Sequence, residues 1–282
     1  MSKSAAAKEF ASETIGRVAG YWNSRPCNIR HSPLPVGTRE YFDQVEARKY
    51  FVEPHIPAFA CFDEWKGKRV LEIGCGIGRM ALPLTQYLDG PMASYTGFDV
   101  VAEGIDWCRE NISSAYADFR FHHLDFNNQL YNPNGALSET SDLPFADASA
   151  DFIFMTSVVT HLDPAFTDFY FREAARLLAP GGRLFLTAFV LDASNRRLVE
   201  AKKARPAFHL EGEGPAYIAD RAHPMAAVAY ENDWLLSTAK ARGLQLSRPI
   251  AFGHWSGRSA ENYQDICVFQ HAKPALPGRK PA

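Results

Sequence analysis

Residues 70–79 read Val70-Leu71-Glu72-Ile73-Gly74-Cys75-Gly76-Ile77-Gly78-Arg79, and this stretch decides the fold. The apolar run 70–73 predicts a short buried strand. Glycine then recurs at every second position, which removes β-carbons where a backbone must turn sharply and let a ligand come close. The residues after Gly78 are mostly apolar and helix-compatible. A strand, a glycine loop and a helix in that order bind a nucleotide-like ligand at the carboxyl end of a parallel strand. The dinucleotide fingerprint G-x-G-x-x-G is not met, because counting from Gly74 its third position is Arg79. Counting from Gly76 it is Ala81, a G-x-G-x-x-A reading that leaves NAD open.

Outward from this loop the chain divides into three parts. Upstream, residues 9–24 pattern as an amphipathic helix with Ile15, Val18 and Trp22 on one face. Residues 25–37 hold three prolines and a glycine and read as a loop. Thr38 is placed to cap a helix running to about residue 52, and a short helix is expected over 58–65. No strand alternates with these helices, so residues 1–65 are expected to be a helical cap on the core. From Lys66 strands and helices alternate, the mark of a parallel sheet covered on both faces. Strands are expected at 70–73, 95–99, 119–123, 152–156 and 183–190. The helix after the second carries Ile105, Cys108 and Ile112 on one face, and Pro83 predicts a kink or late start in the helix before it. Asp163 is expected to cap a helix reaching residue 178. Residues 191–228 lose the alternation and are expected to form a lid or substrate-side insertion. A helix over 230–241 ending before Gly243, and strands at 244–252 and 263–269, close the domain. The tail from 272 holds three prolines and three basic residues and is expected to be disordered.

Bulk properties narrow the function. The chain has 282 residues, 46% hydrophobic and 22% charged, with net charge −2. That charge gives no global footprint for nucleic acid or a membrane surface. Five scattered cysteines (Cys27, Cys61, Cys75, Cys108, Cys267) contain no C-x-x-C and read as reduced thiols in a cytoplasmic protein. No apolar run reaches transmembrane length, and the first residues lack an apolar signal core. His122 and His123 are adjacent on a strand and point to opposite faces, so they cannot chelate one metal ion.

The pattern Glu72-x-Gly74-x-Gly76-x-Gly78 resembles motif I of the class I S-adenosylmethionine (SAM) dependent methyltransferases, and the likeness spans about residues 66–190. It implies a Rossmann-like, seven-stranded, mostly parallel sheet with helices on both faces and a closing antiparallel strand pair. SAM is then the expected cofactor. Asp99, at the end of the second strand, can accept both ribose hydroxyls; alternatively it caps the next helix. The resemblance implies that Asp125 receives the adenine amino group and that Phe126 flanks the ring; otherwise Asp125 is a turn acid. Glu72 sits among apolar neighbours and must be hydrogen-bonded. The resemblance places it near the methionine moiety, and a structural bond to a loop amide is the alternative. Thr156 and Ser157 end the fourth strand, the edge that faces the methyl group in this fold. The cofactor set is therefore Glu72, Gly74, Cys75, Gly76, Gly78, Asp99, Val100, Asp125, Phe126, Thr156 and Ser157.

On the acceptor side, the Asn/Asp-Pro-Pro-aromatic signature of base N-methylation is replaced by Thr156-Ser157-Val158-Val159. His161 is the candidate general base, since imidazole titrates near neutral pH; the alternative is a histidine that only bonds a backbone group. Arg30 and His31 in the proline-rich loop, Tyr41 beyond it, and Trp255 and Arg258 near the last turn are the candidate acceptor contacts. The bland alternatives are core packing for the aromatics and solvent for the charges. The expected activity is methyl transfer to a small-molecule or small polar acceptor at oxygen. An N- or S-methyltransferase, an NAD-dependent oxidoreductase and a catalytically silent nucleotide binder are the alternatives.

Overall fold

Alternation along β1 (Arg69–Ile73) sends Val70 and Glu72 to one side of a sheet and Leu71 and Ile73 to the other. The computed structural model describes residues 62–88, 90–211 and 214–272 and, ahead of them, Glu40 and Gln44, both helical. Most of the expected N-terminal cap, with Arg30, His31 and Tyr41, lies outside the described residues, as does the tail from 273.

Beyond β1 the chain forms α1 (Ala81–Leu84), β2 (Ser94–Asp99), α2 (Ala102–Cys108), β3 (Phe119–His123) and β4 (Ala150–Met155). Next come α3 (Pro164–Leu177), β5 (Leu178–Leu191), α4 (Ala193–Glu200), β6 (Ala216–Ile218) and β7 (Val228–Glu231), and then α5 (Asn232–Ala241), β8 (Leu244–Leu246) and β9 (Asp265–His271). The strands lie in the order β3-β2-β1-β4-β5-β7-β6, and β9 runs antiparallel to both β5 and β8. The pairings β3-β2, β2-β1, β1-β4 and β4-β5 are parallel. The order reverses between β1 and β4, so the loops leaving these two strands part and open a crevice at their carboxyl ends.

Two cores follow from the alternation. On one face Leu71, Ile73, Ile153, Met155, Leu184 and Leu186 pack with the apolar faces of α3 and α5. On the other, Val70, Tyr95, Phe121 and Phe154 pack with Trp65, α1 and α2. The expected stripe Ile105, Cys108 and Ile112 is buried there, with Ile112 in a π-helical turn that continues α2. Asp163 accepts the Phe166 N–H at 2.8 Å and Pro164 takes the first helical position, so α3 begins where expected. Such a cap contributes about 1 kcal/mol. α5 ends before Gly243, whose φ is +80°.

Three expectations are corrected. The sheet has nine strands among the described residues rather than seven. Of the extra pair, β6 lies within residues 191–228, expected to form a lid or substrate-side insertion, and β7 runs from the end of that segment into the start of the expected helix. β5 pairs with β9 through Ala188 and then, from Phe189 to Leu191, with β7, which in turn holds β6. Phe189, Leu191, Val199, Phe208 and Trp255 form a third core under this extension, so the segment is integrated by burial. Tyr230 belongs to β7 rather than to the following helix, and its hydroxyl donates to the Leu162 carbonyl at 2.7 Å. The penultimate strand stops at Leu246, before Pro249, which lacks the N–H that a ladder needs.

Candidate functional site

The glycine loop closes over the carboxyl end of β1. The N–H groups of Gly74 and Cys75 both donate to the Phe98 carbonyl, at 2.9 and 3.0 Å, and the Gly78 N–H donates to the Cys75 carbonyl at 2.9 Å. Gly74, Gly76 and Gly78 have φ of +75°, +54° and +72°, left-handed values that favour glycine. Their surroundings differ. A β-carbon on Gly74 would sit 2.5 Å from Val158 Cγ2, and one on Gly78 would sit 2.5 Å from Ile112 Cδ1. One on Gly76 would meet nothing within 4 Å. Gly74 and Gly78 are therefore glycine for packing, whereas Gly76 lines open space. Gly74→Ala should cost about 2 kcal/mol, from the backbone and the clash together, and Gly76→Ala about 1 kcal/mol, from the backbone alone. Urea unfolding at unchanged slope reads the difference, and equal losses would contradict this account.

Asp99 joins the loop to the end of β2. One carboxylate oxygen accepts the Gly76 N–H at 2.7 Å and the other the Val101 N–H at 2.9 Å. Burial raises its pKa against the pull of these N–H groups. A carboxylate has about four acceptor positions, more than the N–H groups of Gly76, Val100 and Val101 fill. The Val101 bond lies just ahead of α2, so Asp99 ties the glycine loop to the entry of that helix.

Beside Asp99 lies a cavity of about 280 Å³ whose walls include Val100, His123, Asp125, Tyr131 and Asn132. Asp125 accepts the Asn132 side-chain amide at 2.8 Å and the Ala136 N–H at 3.2 Å. These bonds hold its pKa below the ordinary carboxylate value. It thus braces the turn while facing the cavity. His123, Tyr131 and Asn132 were not among the sequence candidates. Only the clustering of Asn and Pro over 127–134 could have pointed to a wall there. The two neighbouring imidazoles do part company: His122 stands edge-on to Phe145, and His123 lines the cavity.

His161 lies beyond β4. Its Nδ1 is 2.9 Å from the Met225 carbonyl. A carbonyl only accepts, so Nδ1 carries the proton and the neutral ring keeps its lone pair on Nε2. Burial lowers the pKa of the ring. Tyr131, a cavity wall, meets the ring edge-on at 5.6 Å. Thr156 and Ser157 directly follow β4, and Val158 rests on Gly74.

Other candidates lie elsewhere. The Cys75 thiol is buried beneath the loop, and burial with nearby Glu72 and Asp99 raises its pKa; only its backbone belongs to the loop. Glu72 is buried on the same side and accepts the Tyr95 hydroxyl. Phe126 is not a ring flanking the cavity. It is 1% exposed and packs against Phe166 and Phe169, because alternation after β3 turns it inward. Trp255 is likewise corrected: it is 1% exposed and its indole N–H donates to Asp265 at 2.8 Å. Arg258 pairs with both oxygens of Asp192 at 2.6 Å and covers the Phe252 ring, so its charge is spent on the entry to α4.

Residues 71–186 match the family model described as a methyltransferase domain. Over 122 residues the chain is 34% identical to a fatty-acid O-methyltransferase of Mycolicibacterium smegmatis, covering 43% of this chain and 37% of that protein. Over 134 residues it is 34% identical to an arsenite methyltransferase of Aquipseudomonas alcaligenes, covering 48% and 35%. The likeness thus spans little more than a third of either relative. Among solved structures, a protein of Pyrococcus horikoshii OT3 superposes with TM-score 0.53 at 17% identity, over 89% of this chain and 98% of that one. A magnesium protoporphyrin IX methyltransferase of Synechocystis with bound S-adenosylhomocysteine superposes with TM-score 0.51 at 15% identity, over 92% and 99%. At such identities the superpositions speak to the fold.

Proposed function

We propose that the chain, whose residues 71–186 match a methyltransferase domain, is a class I, SAM-dependent enzyme that transfers a methyl group from SAM to an oxygen atom of a small molecule. The observation that carries the reading is the open space at Gly76, whose N–H is bound by the Asp99 carboxylate, beside a cavity of about 280 Å³. These residues fit the cofactor. The remaining acceptor capacity of Asp99 would take the ribose hydroxyls, Asp125 the adenine amino group, and the glycine loop would admit the ligand backbone to backbone. Thr156 and Ser157 would border the methyl-bearing end. When bound, SAM supplies a methyl group already activated on a sulfonium sulfur.

The protein's own part is then alignment, exclusion of water and, for a hydroxyl acceptor, removal of one proton. His161 is assigned that last role. Its Nδ1–H is anchored on Met225, which leaves Nε2 to take a proton from the acceptor oxygen. The lowered pKa keeps the ring neutral at pH 7. Support for oxygen as the acceptor atom comes from this histidine, from the missing base-methylation signature and from the O-methyltransferases among the relatives.

The test is incubation of the protein with methyl-labelled SAM and a small-molecule extract, followed by mass spectrometry of labelled products. A labelled methyl ether or ester is expected. Label on nitrogen or sulfur would overturn the oxygen assignment, and no S-adenosylhomocysteine binding by calorimetry would overturn the function. His161→Ala should lower kcat about a hundredfold with cofactor affinity unchanged. In the unsubstituted enzyme the rate should fall only as pH drops below the ordinary histidine range.

A further inference from the structure

Ser157 holds a backbone conformation rare for its residue type. Its φ is +59°, a left-handed value that costs any residue carrying a β-carbon. Among the described residues Ala148 and Lys202 share such values, and both are exposed in surface turns. Ser157 instead is partly buried after β4, and each of its polar groups is bound. Its N–H donates to Thr187 Oγ1 at 2.8 Å, its hydroxyl donates to Gln264 Oε1 at 3.0 Å, and its carbonyl accepts the Thr160 hydroxyl at 3.0 Å.

Thr187 and Gln264 are also joined. Having accepted the Ser157 N–H, the Thr187 hydroxyl gives its own proton to Gln264 Oε1. The Gln264 oxygen, not its nitrogen, therefore faces both hydroxyls. Three segments converge on this corner: the end of β4, the middle of β5 and the residue before β9. Strained backbone persists where its surroundings over-determine it.

The next residue shows what the corner aims. Val158 Cγ2 lies 2.5 Å from where a Gly74 β-carbon would be, so Val158 sits directly on the backbone of the first loop glycine. If Ser157 relaxed to an extended conformation, Val158 would swing off the loop.

We propose that Thr187 and Gln264 are positioning residues for the cofactor loop: they hold Ser157 left-handed and thereby seat Val158 on Gly74. The proposal rests on the cofactor reading above and concerns the same site. Its test is a double-substitution cycle read by calorimetric titration with S-adenosylhomocysteine. Thr187→Val, nearly the same shape without the hydroxyl, should weaken binding about tenfold. In a Ser157→Gly background, where glycine takes the left-handed value unaided, the same change should cost less than about twofold. Gln264→Met should behave like Thr187→Val, while Gln264→Glu, which keeps the accepting oxygens, should stay within about threefold of the parent. A merely structural role would lower the melting temperature and the affinity by the same amounts in both backgrounds. Equal affinity losses in the two backgrounds, or no loss in either, overturn the proposal. Failure of the unsubstituted protein to bind S-adenosylhomocysteine overturns the cofactor reading first, and the proposal with it.

Discussion

Asp99→Ala should weaken S-adenosylhomocysteine binding by about a hundredfold or more, because charge-assisted hydrogen bonding to ribose hydroxyls, at roughly 1.5–3 kcal/mol per bond, would be lost. The loss has a second source. Asp99 also accepts the Gly76 N–H at 2.7 Å, so its removal frees the middle glycine of the loop that would cradle the ligand. Asp99→Asn keeps one accepting oxygen and should fall between the parent and Asp99→Ala. Calorimetry separates the three proteins. Circular dichroism should show an unchanged fold, since the bonds lost are confined to the glycine loop and the turn after β2. Binding by Asp99→Ala within about threefold of the parent would remove Asp99 from the site and, with it, the main support for a nucleoside cofactor.

Asp265→Ala should cost about 3–6 kcal/mol of native stability, a large part of the roughly 5–15 kcal/mol that holds an ordinary domain together. The carboxylate is fully buried and accepts three donors: the Val190 N–H at 2.6 Å, the Gly253 N–H at 2.7 Å and the Trp255 indole N–H at 2.8 Å. Alanine would orphan all three. Burial, opposed by these bonds, pushes the Asp265 pKa up to about 7, against about 3.9 in an unfolded chain. Between those values the native state holds the proton and the unfolded state releases it. Stability from this group is therefore complete below about pH 4 and is lost as pH rises to about 7, on the order of 4 kcal/mol in all. Asp265→Asn carries no titrating proton and should show a flatter urea-unfolding midpoint across that window. Parallel pH profiles for the two proteins would contradict the assignment.

These two carboxylates mark where sequence reasoning reached and where it stopped. Asp99 was legible because it ends an apolar run at a fixed distance from a glycine loop, and local spacing alone carries that signal. Asp265 carries no such local signal. Its importance depends on Val190, 75 residues away, and on Gly253 and Trp255 converging on one buried point. In sequence Trp255 and Arg258 fit acceptor contacts, because aromatic and cationic groups suit both binding and packing. Only their partners, Asp265 and Asp192, show that they hold the end of the sheet together. Phe126 was placed against a ligand by resemblance, yet the alternation of side chains after β3 turns it into the core.

By itself the sequence determined the parallel α/β core, the strand that bears the glycine loop, the acid at the end of β2 and the cap of α3. Each is written in contiguous residues, through periodicity, turn chemistry and spacing. Tertiary structure alone decided that β6 and β7 extend the sheet, that His123 and Tyr131 wall the cavity, and that Ser157 is bound by Thr187 and Gln264. Those features arise from groups distant in the chain meeting at a buried corner, where hydrogen bonds must be satisfied and side chains must fit. No local pattern records which distant partner will satisfy them.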